Sequence, residues 1–298
     1  MRQHRLSLCR EHYLEWLPQQ VDRFIEKYTM FSREDRVLIA VSGGKDSLAL
    51  WDILIQLGYS TDGVYIDLGI DENIAYSSAS RQFAEKFASQ NNQNLAVIDL
   101  KQTYDRTIPE LHSGSHRGRT KPCSVCGLAK RYILNQKAIE GNYDVLVTAH
   151  NLDDEASVLL SNTLEWTLDF LSRGGPVLPQ KTGFARKTKP FCRVTEQESA
   201  AYAFLRGIEF MREECPFSLD SKQLYYKRHL NRWEDDRPGT KLRFYLKYLN
   251  ALKEGAFPGG QQGSEQLAAE SCPDCGQPTS TGGLCAFCRL IKRPLNQK

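Results

Sequence analysis

The sequence predicts an α/β protein, a doubly wound parallel sheet followed by a small cysteine-rich module, and three observations carry that reading. Short β-branched apolar runs alternate with segments whose apolar residues recur at helical spacing. The turn Ser42-Gly43-Gly44-Lys45-Asp46-Ser47 joins the first such strand to the first such helix. Four of the nine cysteines end the chain in two Cys-x-x-Cys pairs. At 298 residues there is room for about two domains.

Residues 36–41 form the first apolar β-rich run, and Leu48, Trp51, Leu54 and Ile55 fall on one face of the helix that follows the glycine turn. A strand over 63–68, a helix over 79–88 and a strand over 95–100 continue the alternation, which implies a parallel sheet covered on both faces. Residues 107–122 mix Gly, Ser, His, Arg and Pro without a period and read as a loop. A helix is expected over 126–139, a buried strand over 143–148, and a helix opening at His150-Asn151-Leu152-Asp153-Asp154-Glu155, where acids suit a helix N-terminus. Residues 174–189 read as a basic loop and 196–205 as a helix. A Gly, Gln and Ser-rich run near 255–270 reads as a linker.

Hydrophobic residues at 41% and charged residues at 25% exclude a disordered, collagenous or coiled-coil chain. The 39 basic side chains exceed the 36 acidic ones by three, so nucleic-acid contact has to come from local patches. No stretch approaches the ~20 apolar residues of a membrane helix, and charge interrupts the N-terminus before a signal-peptide core could form, so a cytoplasmic protein without a membrane partner is expected. In a reducing compartment Cys-x-x-Cys spacing points to metal or sulfur chemistry.

The glycine turn places backbone N–H groups at a helix N-terminus, a cradle for phosphate. Its spacing is not that of a Walker A loop. Cys272 and Cys275, with Cys285 and Cys288 nine residues beyond, can close a tetrahedral zinc site in a C-terminal zinc ribbon. Cys123 and Cys126 precede a helix, and Cys215 stands far downstream in Arg212-Glu213-Glu214-Cys215-Pro216, making three thiols where a metal site usually has four. Lys130 lies about one helical turn after Cys126 and shares its face.

The Ser-Gly-Gly-Lys-Asp-Ser loop resembles that of the PP-loop, or N-type, ATP pyrophosphatases. Within that superfamily the chain is similar to the TtuA-type tRNA 2-thiouridine synthetases. The likeness rests on Cys123-x-x-Cys126 before Gly127-Leu-x-Lys-Arg-Tyr, on His150 to Glu155, on Cys215 in its Glu-Glu-Cys-Pro setting and on the C-terminal cysteine module, from about Cys9 to Arg289. The resemblance implies an N-terminal segment over 1–30 holding half of a zinc module, a PP-loop catalytic domain with a helical C-terminal part over 31–253, a linker over 254–270 and a zinc-binding module over 271–298. It implies ATP with Mg²⁺ at Ser42, Gly43, Gly44, Lys45, Asp46 and Ser47, and a 4Fe-4S cluster on Cys123, Cys126 and Cys215 whose fourth iron is free to carry sulfur. Persulfide or disulfide relay by Cys123 and Cys126, with thiol pKa values depressed near the helix start, is the alternative within the same chemistry.

By the same resemblance Lys130 stabilises negative charge and Asp154 acts on the uridine or its adenylate; alone, they would read as a surface lysine and a capping acid. The expected reaction is adenylation of the C2 oxygen of a tRNA uridine, then displacement of AMP by sulfur brought on the C-terminal thiocarboxylate of a ubiquitin-like carrier protein. The resemblance leans towards the T-loop uridine, and wobble-thiolating relatives share the motifs; a homodimer is expected. Two other classes fit parts of the sequence: another PP-loop ligase acting on tRNA or a small molecule, and a non-catalytic RNA-binding zinc protein with a vestigial loop.

Where relatives carry a full N-terminal zinc module, this chain has only Cys9 and His12, with no preceding cysteine pair, so the site is incomplete. Cys192 reads as a small core residue. Arg117, Arg119 and Lys121, then Lys181, Arg186, Lys187 and Lys189, form basic runs suited to tRNA backbone contact, as do Arg289, Lys292 and Arg293 beside the tail.

Overall fold

The run Val-Leu-Ile-Ala-Val has no polar residue, and in a computed structural model it is the centre of the sheet, strand β1 (Val37–Val41). The structure describes residues 2–71, 75–113, 122–218, 221–257, 270–279 and 282–293. β1 lies between β2 (Thr61–Asp67) and β4 (Val145–Val147), parallel to both. β3 (Leu95–Asp99) extends the sheet beyond β2, and β6 (Lys187–Thr188) extends it beyond β4, both parallel. The edge strand β5 (Val177–Leu178) is antiparallel, giving the order β3-β2-β1-β4-β6-β5. The chain order reverses between β1 and β4, and in such sheets the crevice outside the carboxyl ends of those strands takes the ligand. The loops leaving these strands begin at Ser42 and Thr148, so the fold brings the glycine turn and the His150 to Glu155 segment to one crevice.

The N-terminal segment, expected as half of a zinc module, contains helix α1 (Arg10–Lys27), whose Leu17, Val21, Phe24 and Ile25 enter the main core. It packs against α2 (Lys45–Gln56) and α9 (Glu196–Arg206). Its charged positions and internal Pro18 mask the apolar period in the sequence. Helix α3 (Tyr76–Gln90) connects β2 to β3, with Ala84 and Phe87 in the core. Helices α4 (Leu100–Tyr104) and α5 (Ile108–Ser113) follow β3, so the expected loop over 107–122 begins instead as a helix turn that buries Ile108 and Leu111. Residues 114–121, with Arg117, Arg119 and Lys121, lie outside the described residues.

Helix α6 (Pro122–Glu140) starts four residues before the expected 126, with proline in the first-turn position that suits its fixed φ and missing N–H. Cys123 and Cys126 are therefore inside the helix. Helices α7 (Leu152–Leu164) and α8 (Leu168–Leu171) follow β4, and the expected loop over 174–189 supplies β5 and β6. Asn135 of α6 shapes that stretch: its amide donates to Gly183 O at 2.9 Å and its Oδ1 accepts from Ala185 N at 2.9 Å. Helices α10 (Lys222–Asp236) and α11 (Thr240–Lys253) close the domain over α7.

The tail comprises β7 (Glu270–Ser271) paired with β8 (Pro278–Thr279), and α12 (Ala286–Ile291). It docks on α6, where Phe287 stacks on Tyr132 with ring centroids 3.9 Å apart and meets Tyr104 edge-on at 5.1 Å. Cys272, Cys285, Phe287 and Leu290 share one apolar cluster with Val125, Ala129 and Ile133. Among the described residues no helix is long and apolar enough to cross a membrane.

Candidate functional site

Gly43 adopts φ +74°, and a Cβ there would lie 2.1 Å from the backbone oxygen of Ser80, so only glycine fits the turn against α3. The turn is pinned from within: Ser47 Oγ accepts from Ser42 N at 3.1 Å and donates to Gly44 O at 3.0 Å. Met211 N donates to Gly43 O at 2.9 Å, which brings the stretch leading to Cys215 over the loop. Ser42, Gly44, Lys45, Asp46, Tyr76 and Met211 line a cleft of about 340 Å³ between them.

Lys45 Nζ lies 3.1 Å from Asp46 and 2.8 Å from Glu196. Asp46 also accepts from the Ser199 hydroxyl. Burial raises the Asp46 carboxyl above the ordinary aspartate range, with Lys45 working against that rise. Lys227 of α10 lies 2.6 Å from Asp154 and 3.4 Å from Glu196. Burial works against its charge, yet the Asp154 and Glu196 carboxylates outweigh burial and hold the ammonium well above the ordinary lysine range. Lys45, Glu196, Lys227 and Asp154 thus form an alternating chain of charge from the loop to α7. Asp154 doubles as a capping acid: it accepts from Asn151 N at 3.1 Å while Asn151 Oδ1 accepts from Asp154 N at 3.0 Å. Its neighbour Asp153 is buried against Lys241 at 2.6 Å and accepts from Glu196 N at 2.9 Å, which anchors α7 to α9 and α11. His150 is oriented by Thr148 Oγ1, 2.9 Å from its Nδ1, and burial followed by the charge of Lys189 keeps its imidazole below the ordinary histidine range.

Cys123, Cys126 and Cys215 converge although nearly ninety residues separate the last two. Cys123 Sγ donates to Phe217 O at 3.3 Å, and Cys126, Cys215 and Phe217 border one apolar cluster. Each thiol is within electrostatic reach of the others and of Lys130, whose charge is favoured above all by Cys126. Burial, then the neighbouring Cys126, raises the Cys123 thiol, and burial also raises Cys215. For Cys123 that corrects the expectation of a thiol depressed at a helix start: burial and the like charge of a second sulfur prevail over the helix terminus. Lys130 lines a second cavity with Ser42, Tyr65 and Tyr76, beneath the carboxyl ends of β1 and β2, and Tyr76 faces both cavities.

In the tail, the sulfurs of Cys272, Cys275, Cys285 and Cys288 lie within 4.8 Å of one another, the spacing a single tetrahedral ion requires. Burial opposes ionisation of Cys272, but N–H donors from Cys285, Asp274 and Cys275 bring its thiol down to about 6, as a metal-ligating thiolate needs. Cys9 is exposed; its Sγ donates to Glu11 at 3.1 Å and lies 3.2 Å from His12 Nδ1, and among the described residues no further ligand joins them. Cys192 is fully buried and burial pushes its thiol up to about 12.

Sequence reasoning missed Glu196, Lys227 and Tyr76. Glu196 carries a weak signal, since it is the first helical residue inside a Thr195 to Glu198 capping box. Lys227 carries none: its partners lie 31 and 73 positions away.

A family model described as PP-loop domain matches residues 15–218. The chain is 47% identical over 290 residues to the tRNA-5-methyluridine(54) 2-sulfurtransferase of Thermus thermophilus, covering 97% of this chain and 87% of that protein. It is 39% identical over 296 residues to the protein of the same name from Pyrococcus horikoshii, covering 99% and 91%. Among solved structures it is similar to the U34-tRNA thiolase NcsA from Methanococcus maripaludis with its 4Fe-4S cluster, at TM-score 0.74 and 23% identity over 85% of this chain and 84% of that one.

Proposed function

The chain belongs to the PP-loop family and, within it, to the tRNA 2-sulfurtransferases; from that premise we propose that it uses ATP to replace the C2 oxygen of the 5-methyluridine at tRNA position 54 with sulfur. One observation carries the reading. The glycine loop lines two cavities that share Ser42 and Tyr76, and Tyr76 and Lys130 on their walls are within electrostatic reach of Cys126 and Cys215. An activation site and a sulfur site there can act on one base without its leaving.

ATP binds with its phosphates on the N–H groups of Ser42 to Ser47, and Lys45 offsets their charge. Mg²⁺ would accompany ATP, and the carboxylates of Asp46 and Glu196 beside Lys45 would offer it oxygen ligands. The uridine C2 oxygen attacks the α-phosphorus, a C2–O–P link forms and pyrophosphate leaves. Sulfur then adds at C2, and AMP departs with the original oxygen. Asp154, held by Lys227 and its own cap, faces this step, and Lys130 balances negative charge at the sulfurs. His150, within electrostatic reach of Asp154 and Lys130, is able to accept a proton there.

The three thiols fit an iron–sulfur cluster: Cys126 and Cys215 border one apolar cluster, Cys123 is within electrostatic reach of Cys126, and the Lys130 ammonium stands by all three. Cys123, Cys126 and Cys215 would hold a 4Fe-4S cluster, which would supply an iron not bound by protein and able to bind sulfur. The tail fits zinc, and its role is to hold α6. Sulfur arriving on the thiocarboxylate of a ubiquitin-like carrier, a homodimer and a cytoplasmic location complete the proposal. The exposed Leu164, Trp166 and Phe170 accord with a dimer contact, and the free thiols with a reducing compartment.

Anaerobic nucleotide analysis tests it. AMP and pyrophosphate that form only with unmodified tRNA and a sulfur source are expected; ADP, or no turnover in reconstituted protein, overturns it.

A further inference from the structure

Helix α6 has a second working face. While Lys130 points to the crevice, the next residue, Arg131, lies about 100° around the helix. There it lines a separate cavity of about 250 Å³ between α6, β6 and the cysteine tail. Lys187 lines the same cavity from β6, and Asn135, Gln277 and Phe287 complete its walls. Among the described residues no Asp or Glu borders it. Among the described residues neither Arg131 nor Lys187 forms an ion pair. Lys187 is held below the ordinary lysine range first by burial and then by the positive charge of Arg131, so the two cations repel each other; Arg131 is lowered by burial, with Cys126 working against that fall. Two like charges converging on one largely apolar cavity, with no carboxylate of the described residues to separate them, destabilise the empty site and favour an anion between them.

We propose that this cavity binds a backbone phosphate of the RNA substrate, with Arg131 and Lys187 gripping its oxygens. The inference rests on the function proposed above. The chemistry favours a phosphodiester over a free anion because Phe184, 40% exposed, stands at the rim, where an aromatic ring packs on a ribose or an unstacked base. It also gives the tail a part in recognition. Pro278 and Phe287, placed by the four-cysteine module, form the wall opposite Arg131, so the pocket is shaped only when the tail is docked.

The test is binding of an unmodified tRNA transcript to the full chain, by fluorescence anisotropy, across salt from about 50 to 200 mM. Arg131→Gln and Lys187→Gln should each weaken binding about 3- to 10-fold at low salt and reduce the log–log salt slope by roughly 0.7–0.9. ATP affinity and metal content of the tail should not change; both serve as folding controls. Arg131→Lys, which keeps the charge and loses the fork, should retain the slope and lose part of the affinity. Wild-type slope and affinity in both glutamine variants overturn the inference. So does millimolar inorganic phosphate that binds wild type but not the variants while tRNA binding is indifferent to either substitution, since that marks a free-anion site. Failure of the wild-type protein to bind tRNA at all overturns the proposed function together with this site.

Discussion

Phe287→Ala should loosen the catalytic helix without unfolding the metal module. Phe287 is 2% exposed, stacked on Tyr132 and edge-on to Tyr104. Truncating a buried phenylalanine costs about 3–5 kcal/mol, and an aromatic pair adds about 0.5–1.5 kcal/mol. A loaded four-cysteine site holds about 10–16 kcal/mol of its own, so the tail stays folded and the loss falls on its docking to α6. At about 1.4 kcal/mol per decade, a loss of 3 kcal/mol raises the undocked population roughly a hundredfold. Hydrogen exchange followed by mass spectrometry on the metal-loaded, anaerobic protein reads this directly. Amides of α6 near Ala129 to Ile133 should exchange about two decades faster in Phe287→Ala, while the tail's metal content stays at the wild-type value. Phe287→Leu keeps most of the volume and should cost less than about 1.5 kcal/mol. Unchanged α6 exchange in Phe287→Ala, with metal retained, refutes the view that the tail braces the helix carrying Cys123, Cys126 and Lys130.

Gly43→Ala should weaken ATP binding at least about tenfold, because a left-handed alanine costs about 1–2 kcal/mol and its Cβ collides with the Ser80 carbonyl. Gly44→Ala, where the nearest atom would be the Ser42 hydroxyl at 3.4 Å, should leave thermal stability near wild type; equal stability losses in the two variants contradict the steric account. Burial works against Glu196 ionising, but Lys227 and Lys45 hold its carboxyl below the ordinary range. Its stabilising contribution is therefore present above the unfolded value of about 4.3 and is lost as pH falls through the lower folded value. The melting temperature of Glu196→Gln should lie below wild type at neutral pH and converge with it in acid; a gap that widens in acid gives the wrong sign. Cys192, buried and with its thiol near 12, should resist iodoacetamide at pH 8 in the native protein, and rapid labelling would contradict its place in the core.

Much of this fold could be read from local pattern. β1 and its glycine turn announce themselves because an unbroken apolar run followed by two glycines has few other uses, and the alternation from there to β4 yields the parallel sheet. The tail's cysteines are legible because four ligands to one ion must lie close in space, and their spacing keeps them close in sequence. What escaped detection depends on distant partners. α1 hides its buried face behind charge and Pro18, and β5 and β6 are two residues each, too short for any period. Lys227 looks like any lysine of a polar helix until α10 folds over α7 and sets it against Asp154. The Cys123 thiol went the other way from the expectation because a helix terminus is a local property and burial is not.

The most direct test of the account is nucleoside analysis by mass spectrometry of tRNA incubated anaerobically with ATP, a sulfide source and reconstituted protein. The account predicts a 2-thio-5-methyluridine mapping to the T loop with wild-type protein, and none with Cys123→Ser, Cys126→Ser or Cys215→Ser of unchanged melting behaviour. A thiolated nucleoside formed at the wild-type rate by any of these three variants would contradict it.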